Sequence, residues 1–182
     1  TGFTPLHIAI DVGNINIVKL LIENGSNIND KTSEFNTSLM LACNTKMDGW
    51  GGLCNYKIDY TEIIKLLIDM GVNINDKGNH NETALMRATK TRKIENIKLL
   101  LSKGADVNAC NTMGFSSLTY ACQKKNNIDI VKILLDNGAN INHVDSGKFT
   151  PLMYACKIGC INTIKLLLDY GANIDVENFL IY

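Results

Sequence analysis

The chain has 182 residues, 18 basic and 18 acidic side chains, and a hydrophobic content of 46%. This is ordinary globular composition, and its charge balance gives no electrostatic reason to expect nucleic acid or an anionic membrane as partner. Two prolines argue against a linker-rich chain, no apolar run approaches the 18 or so residues of a membrane span, and no charged-then-apolar leader opens it.

The first elements set a pattern. Thr4 suits a helix N-cap, and Pro5 suits the first helical position, where its missing N–H would be unpaired anyway. Leu6 and Ala9, three apart, face one side of a short helix. Ile17, Leu20 and Leu21 then give the spacing of a second amphipathic helix, and Gly25 is placed for a left-handed stop. A polar stretch follows, suited to a turn or hairpin before the next capping Thr.

The same blocks recur down the chain. GFTPLHIA at 2–9 lines up with NTSLMLA at 36–42, ETALMRA at 82–88, FSSLTYA at 115–121 and FTPLMYA at 149–155. A second block, NIVKLLIENGSNIN at 16–29, returns at 62–75, 95–108, 129–142 and 162–175. Gly71 to Gly104 and Gly138 to Gly171 are both 33 residues apart, whereas Gly25 to Gly71 is 46. One helix pair cannot bury its own apolar face, so the copies must stack.

Thr4-Pro5-Leu6-His7-Ile8-Ala9 at 33-residue spacing resembles the signature of the ankyrin-repeat family, and the resemblance covers essentially the whole chain. It implies an all-α solenoid of helix–turn–helix units joined by β-hairpin-like loops, in repeats of about 1–29, 30–75, 76–108, 109–142 and 143–175. Residues 176–182 then begin a further repeat or form a closing cap. The absence of a polar cap before GFTPLH leads us to expect a longer parent protein. The motif His occurs only as His7; Met40, Met86, Thr119 and Met153 replace it. By resemblance, that His ties hairpin to helix, and Asn29, Asn75, Asn108 and Asn142 bridge adjacent loops; Asp175 departs from the pattern.

The second copy carries 13 extra residues, at about 46–58, between its two helices. They include Trp50 among Gly49, Gly51 and Gly52, with Tyr56 inside and Tyr60 just after. Such an insertion costs little in chain entropy. The aromatic residues either fold back on the repeat or offer a patch to a partner.

Catalytic chemistry finds no support. His7, His80 and His143 stand far apart in sequence, and Cys156 and Cys160 lack the companions a zinc site needs. Ser146-Gly147-Lys148 lacks the rest of a phosphate loop, and the formal sequons at Asn36 and Asn81 coincide with helix caps. Cys43, Cys122 and Cys156 share one helical position that reads as core packing, and free thiols in a reducing compartment are expected. Lys19, Lys65, Lys98, Lys132 and Lys165 form a ladder along the second helices. Glu23, Asp69, Asp136 and Asp169 lie four residues on, close enough to pair, so a solvated outer face is favoured.

Binding residues should be the non-repeating ones. The residue before the cap runs Phe3, Asn36, Glu82, Phe115, Phe149, and the residue before the helix-one Ala runs Ile8, Leu41, Arg87, Tyr120, Tyr154. By resemblance both border a concave groove, so Arg87, Phe115, Tyr120, Phe149 and Tyr154 are candidate partner-binding residues. The phenylalanines have packing under the hairpins as an equal alternative. Lys90, Lys124 and Lys157 would supply the rim, with Trp50 and Tyr56 as a second candidate patch.

The expected function is a non-catalytic protein–protein interaction module, monomeric in isolation, intracellular, with no cofactor and no metal. The alternative is the regulatory or targeting part of a larger enzyme or channel; a purely architectural role is a third. Abundant Asn and Ile, with Lys far outnumbering Arg, resemble proteins of AT-rich genomes, some of them viral. Leu99, in the middle copy, is expected in the stacking core.

Overall fold

The structure, a computed structural model, describes residues 2–44 and 60–175. They contain ten α-helices and divide at Ala105 and Asp106 into two compact units. The first unit holds α1 (Pro5–Val12), α2 (Ile15–Glu23), α3 (Ser38–Cys43), α4 (Thr61–Asp69), α5 (Ala84–Thr91) and α6 (Ile94–Ser102). The second holds α7 (Ser117–Cys122), α8 (Ile128–Asp136), α9 (Pro151–Ile158) and α10 (Ile161–Asp169). None of these helices is long and apolar enough to cross a membrane.

Helices of six to nine residues are too short to persist alone, so their ends and faces must be fixed by neighbours. Thr4, Thr37, Thr83, Ser116 and Thr150 each accept a hydrogen bond from the backbone N–H three residues on, in α1, α3, α5, α7 and α9. The second helices end on Gly25, Gly71, Gly104, Gly138 and Gly171, with φ between 83° and 87°. A Cβ at these glycines would meet nothing within 4 Å, so the left-handed torsion, not space, demands glycine.

Within the first unit α1, α3 and α5 pack successively, as do α2, α4 and α6; in the second, α7 packs on α9 and α8 on α10. Leu6, Leu39, Leu85, Leu118 and Leu152 are buried in the first helices, beside Ala9, Ala42, Ala88, Ala121 and Ala155. In the second helices the fully buried residues are Val18, Ile64, Ile97 and Val131, with Leu67, Leu100, Leu134 and Leu167 one turn on.

The inner face therefore lies one residue away from the expected one. Ile17 and Leu20 are exposed at 45% and 59%, whereas Val18 is buried. Leu99 is likewise only half-buried, lining a shallow cleft with Thr61, Lys65 and Ser102, while Ile97 and Leu100 face the core. The cause is that a second helix has two partners. It packs both on its own first helix and on a neighbouring second helix, and the Leu99 position lines the cleft between α4 and α6. Cys156 also departs from expectation. Cys43 and Cys122 are buried, but Cys156 is exposed, because among the described residues no helix pair follows α9 and α10.

Between copies the chain makes tight turns closed by an amide donating to the carbonyl four residues on: Thr32 to Asn36 at 3.0 Å, Gly78 to Glu82 at 2.8 Å, Asn111 to Phe115 and Asp145 to Phe149 at 3.1 Å. The hairpin character is slight: one isolated bridge, Lys31 to Thr37, is formed among the described residues. The bridging asparagines behave as the family resemblance implies. Asn29 Oδ1 accepts from the Asn73 amide at 2.9 Å, Asn75 Nδ2 donates to Gly104 O at 3.0 Å, Asn108 Nδ2 donates to Gly138 O at 3.0 Å, and Asn142 Oδ1 accepts from the Asn173 amide at 2.8 Å.

His7 links its helix to the next turn. The Thr4 amide donates to Nδ1 at 3.2 Å, and Nε2 lies 3.1 Å from Asp30 O. A carbonyl can only accept, so Nε2 carries the proton and the ring is neutral. Burial reinforces this by lowering the imidazole pKa below its usual 6.5, against smaller raising effects from Asp30.

Two measurements check this packing. In urea unfolding, Leu100→Ala should cost about 2–5 kcal/mol, and Leu99→Ala clearly less; equal losses would contradict the assigned inner face. His7 binds its proton less tightly when folded, so its stabilising contribution is complete above 6.5 and is lost as pH falls through the lowered native value. His7→Met, the residue of three other copies, should therefore show a smaller stability loss between neutral pH and pH of about 5 than the parent chain. An identical loss would contradict the neutral ring.

Candidate functional site

In the second unit two turns are built alike. Asn111 and Asp145, both buried, each accept two backbone amides at the turn: Met113 and Phe115 at 2.9 and 2.8 Å, Gly147 and Phe149 at 2.8 and 2.9 Å. Each also bonds a tyrosine hydroxyl nine residues on. Asn111 Nδ2 donates to Tyr120 Oη at 2.9 Å, and Tyr154 Oη donates to Asp145 Oδ2 at 2.6 Å. The turns thereby fix the two tyrosine rings of α7 and α9. Burial, and then the Asp145 carboxylate, push the Tyr154 pKa upward, so it stays a donor at any ordinary pH.

The rings form one continuous set. Phe115 meets Tyr120 edge-on at 5.5 Å and Tyr154 at 6.0 Å, and Phe149 lies tilted on Tyr154 at 5.2 Å. Lys157 Nζ sits 5.6 Å from the centre of the Phe149 ring. All four aromatic side chains are half-buried, Lys124 and Lys157 are exposed, and Ser146 donates to Met113 O at 3.1 Å to join the two turns. The phenylalanines pack against the tyrosines, and all four residues remain partly exposed.

Arg87 and Lys90 lie in the first unit. Arg87 Nη2 donates to Asn36 Oδ1 at 2.6 Å and its Nε lies 3.7 Å from Glu82 Oε2; Lys90 pairs with the other oxygen of Glu82. The Arg87 side chain is only 12% exposed, so its charge is largely spent inside the protein. Trp50 and Tyr56 lie outside the described residues. Tyr60, just after the insertion, donates to Asp11 O of α1 at 2.8 Å.

The lysine ladder is solvent-exposed throughout, but its pairs differ from those the sequence suggests. Lys65 and Lys98 bond Glu62 and Glu95, three residues before them, at 2.8 and 3.3 Å. An acidic residue in the first helical turn also complements the helix dipole. Asp69 instead meets Lys103 at 3.7 Å. Cys43, Cys122, Cys156 and Cys160 are free, and burial raises the thiol pKa of both Cys43 and Cys122 to about 12, leaving them inert. No group of three or more metal-ligating side chains occurs among the described residues. His143 is less isolated than its sequence position suggests: its Nε2 lies 2.6 Å from Gly114 O and 3.4 Å from Cys110 Sγ.

Sequence reasoning missed Asn111 and Asp145, which organise the cluster. The available signal was a polar side chain four residues before a Phe and nine before a Tyr, occurring twice at a 34-residue interval. It also missed Phe35, 63% exposed at a turn tip with φ of 59°, where other copies carry Asn81, Gly114 and Lys148. An aromatic side chain held exposed in the left-handed region is costly, and such strain gathers at functional places.

Comparison with known proteins agrees with this architecture. A family model described as an ankyrin repeat matches residues 1–33, and one described as three copies of ankyrin repeats matches 48–111 and 97–178. Among curated proteins, delta-latroinsectotoxin-Lt1a of Latrodectus tredecimguttatus is 57% identical over 35 residues, 19% of this chain and 3% of the toxin. Alpha-latrotoxin-Lh1a of Latrodectus hasselti is 55% identical over 42 residues, 22% of this chain and 3% of the toxin. The chain thus spans about 3% of the length of these relatives, and the likeness is one repeat long. With repeat models covering most of its residues, and capped helix pairs stacked through bridging asparagines, the chain belongs to the ankyrin-repeat family.

Proposed function

We propose that this chain is a non-catalytic, intracellular protein-binding module whose recognition surface is the aromatic cluster of the second unit. The observation that carries the reading is the set Phe115, Tyr120, Phe149 and Tyr154. These rings are held by Asn111 and Asp145 yet remain half-open, with Lys157 exposed in the last turn of α9 and Lys124 exposed just past the end of α7. Preorganised aromatics lose little conformational entropy on binding, and cations at the rim favour a partner surface with acidic character. Arg87 and Lys90 act as support, because Glu82 and Asn36 engage them. Free cysteines, two of them buried as thiols, fit a reducing compartment.

The Trp50 insertion is a second recognition element in this reading, and a regulatory role inside a larger enzyme or channel is the competing function. Both can be separated from the first. Once a partner has been captured from native lysate, its affinity should fall about tenfold for the double variant Lys124→Glu, Lys157→Glu, with the thermal melt unchanged. Lys19→Glu with Lys65→Glu on the second helices should leave affinity within about twofold, the scale of a screened surface charge. If the second pair weakens binding more than the first, the cluster is not the recognition surface. If deletion of residues 46–58 alone abolishes binding, the insertion is.

A further inference from the structure

The left-handed glycine that ends each second helix follows a different residue in almost every copy: Asn24, Met70, Lys103, Asn137 and Tyr170. The first and fourth copies therefore carry an Asn-Gly pair, and the sequence has no other. Such a pair is chemically labile, because the glycine nitrogen, unhindered by a neighbouring Cβ, attacks the Asn side-chain carbonyl carbon. The N–Cγ bond forms, the bond from Cγ to the amide nitrogen breaks, and ammonia leaves. Water then opens the ring, giving either Asp or isoaspartate, in which the main chain runs through the side chain and gains one backbone atom. The overall change is a hydrolysis and needs no oxidant or reductant.

The helix cap holds both partners of this reaction. Asn137 Nδ2 donates to Ile133 O at 2.8 Å, drawing the carboxamide back over the last turn of α8, and the Gly138 amide donates to Leu135 O at 2.9 Å. Asn24 is held alike, on Leu20 O at 2.8 Å, with the Gly25 amide on Ile22 O at 3.0 Å. The two sites differ in what hangs on them. Gly138 O accepts Asn108 Nδ2 at 3.0 Å, and the Asn140 amide donates to Asn108 Oδ1 at 2.7 Å, so Asn108 grips the chain on both sides of Ala139. We propose that Asn137 is a site of spontaneous deamidation, gated by opening of the α8 C-terminus, and that its isoaspartate product releases the Asn108 clasp between the third and fourth copies. The added backbone atom displaces Gly138 from its place after α8, and the new carboxylate opposes the dipole at the helix C-terminus. Modification of Asn24 leaves that clasp untouched. The inference is independent of the partner-binding reading.

Ageing the 182-residue chain in mildly alkaline buffer, folded and in denaturing urea, tests it. Peptide mass mapping follows the mass gained when the amide becomes an acid, and chromatography separates Asp from isoaspartate. In urea Asn137 should convert ahead of asparagines followed by other residues. In the folded chain it should convert at least about tenfold more slowly, an opening cost of about 1.4 kcal/mol. Hydrogen exchange then reads the clasp. In chains carrying isoaspartate at 137 the Asn140 amide should exchange at least about tenfold faster than in the parent, with the Asn73 amide, bonded to Asn29, unchanged. The Asn137→Asp variant, which has the charge but not the added backbone atom, should keep Asn140 slow. Equal conversion in the two conditions would overturn the gating, and no excess of Asn137 over other asparagines would overturn the site. Parent-like exchange of Asn140 in the isoaspartate chain, or exchange as fast in Asn137→Asp, would overturn the release of the clasp.

Discussion

The structure depends on one constraint: a helix pair of this size has more apolar surface than it can bury by itself. Val18 and its equivalents Ile64, Ile97 and Val131 are buried, and Asn96, at the place of Ile63, bonds Thr61 of the neighbouring pair. Each second helix therefore needs two partners, and stability is shared between a pair and its neighbours rather than gathered in a single core. Exposure then follows from position along the stack. The same residue type at the same helical place is buried as Ile63 and open as Ile17, and buried as Cys122 and open as Cys156.

The polar turns are built on the same plan, with asparagine in place of leucine. In the Asn-Ile-Asn stretches the first Asn side chain accepts the amide two residues on, as Asn27 does for Asn29 and Asn140 for Asn142. Its backbone amide in turn donates to the second Asn of the copy before, as Asn140 does to Asn108 at 2.7 Å. One residue type thus closes the local turn and fastens it to the next copy. Asp175 stands at the place of the second Asn in the fifth copy, and its amide donates to Asn173 Oδ1 at 2.9 Å as in the other copies. This satisfies backbone groups that would otherwise compete for water at every junction.

Much of this was legible in the sequence because it repeats. Thr4, Thr37, Thr83, Ser116 and Thr150 as caps, the five terminal glycines, and Asn29, Asn75, Asn108 and Asn142 as bridges all perform the roles their spacing or family resemblance assigns. What failed was the choice between adjacent apolar positions. In IVKLLI-type stretches nearly every residue except the lysine is hydrophobic, so a 3,4 pattern can be drawn through Ile17 and Leu20 as readily as through Val18 and Leu21. Only the second packing partner decides between them. The candidate aromatic residues were legible as non-repeating positions, but the side chains that hold them were not. Asn111 and Asp145 differ in type, and their bonds to Tyr120 and Tyr154 span nine residues, longer than any helical or strand period. Arg87 looked like a binding residue for the same reason; its closeness to Asn36, 51 residues away in sequence, is a tertiary fact.

In the proposed function labour is divided: repeating positions are consumed by stacking and turn closure, and the non-repeating surface positions are those proposed for recognition. The most direct test is hydrogen exchange of the chain alone and bound to its protein partner. Slowed exchange on binding at residues 111–124 and 145–157, with α4 and α6 unchanged, is the result this division predicts. Slowing confined to the second helices, with the turns and first helices of the second unit unaffected, would contradict it.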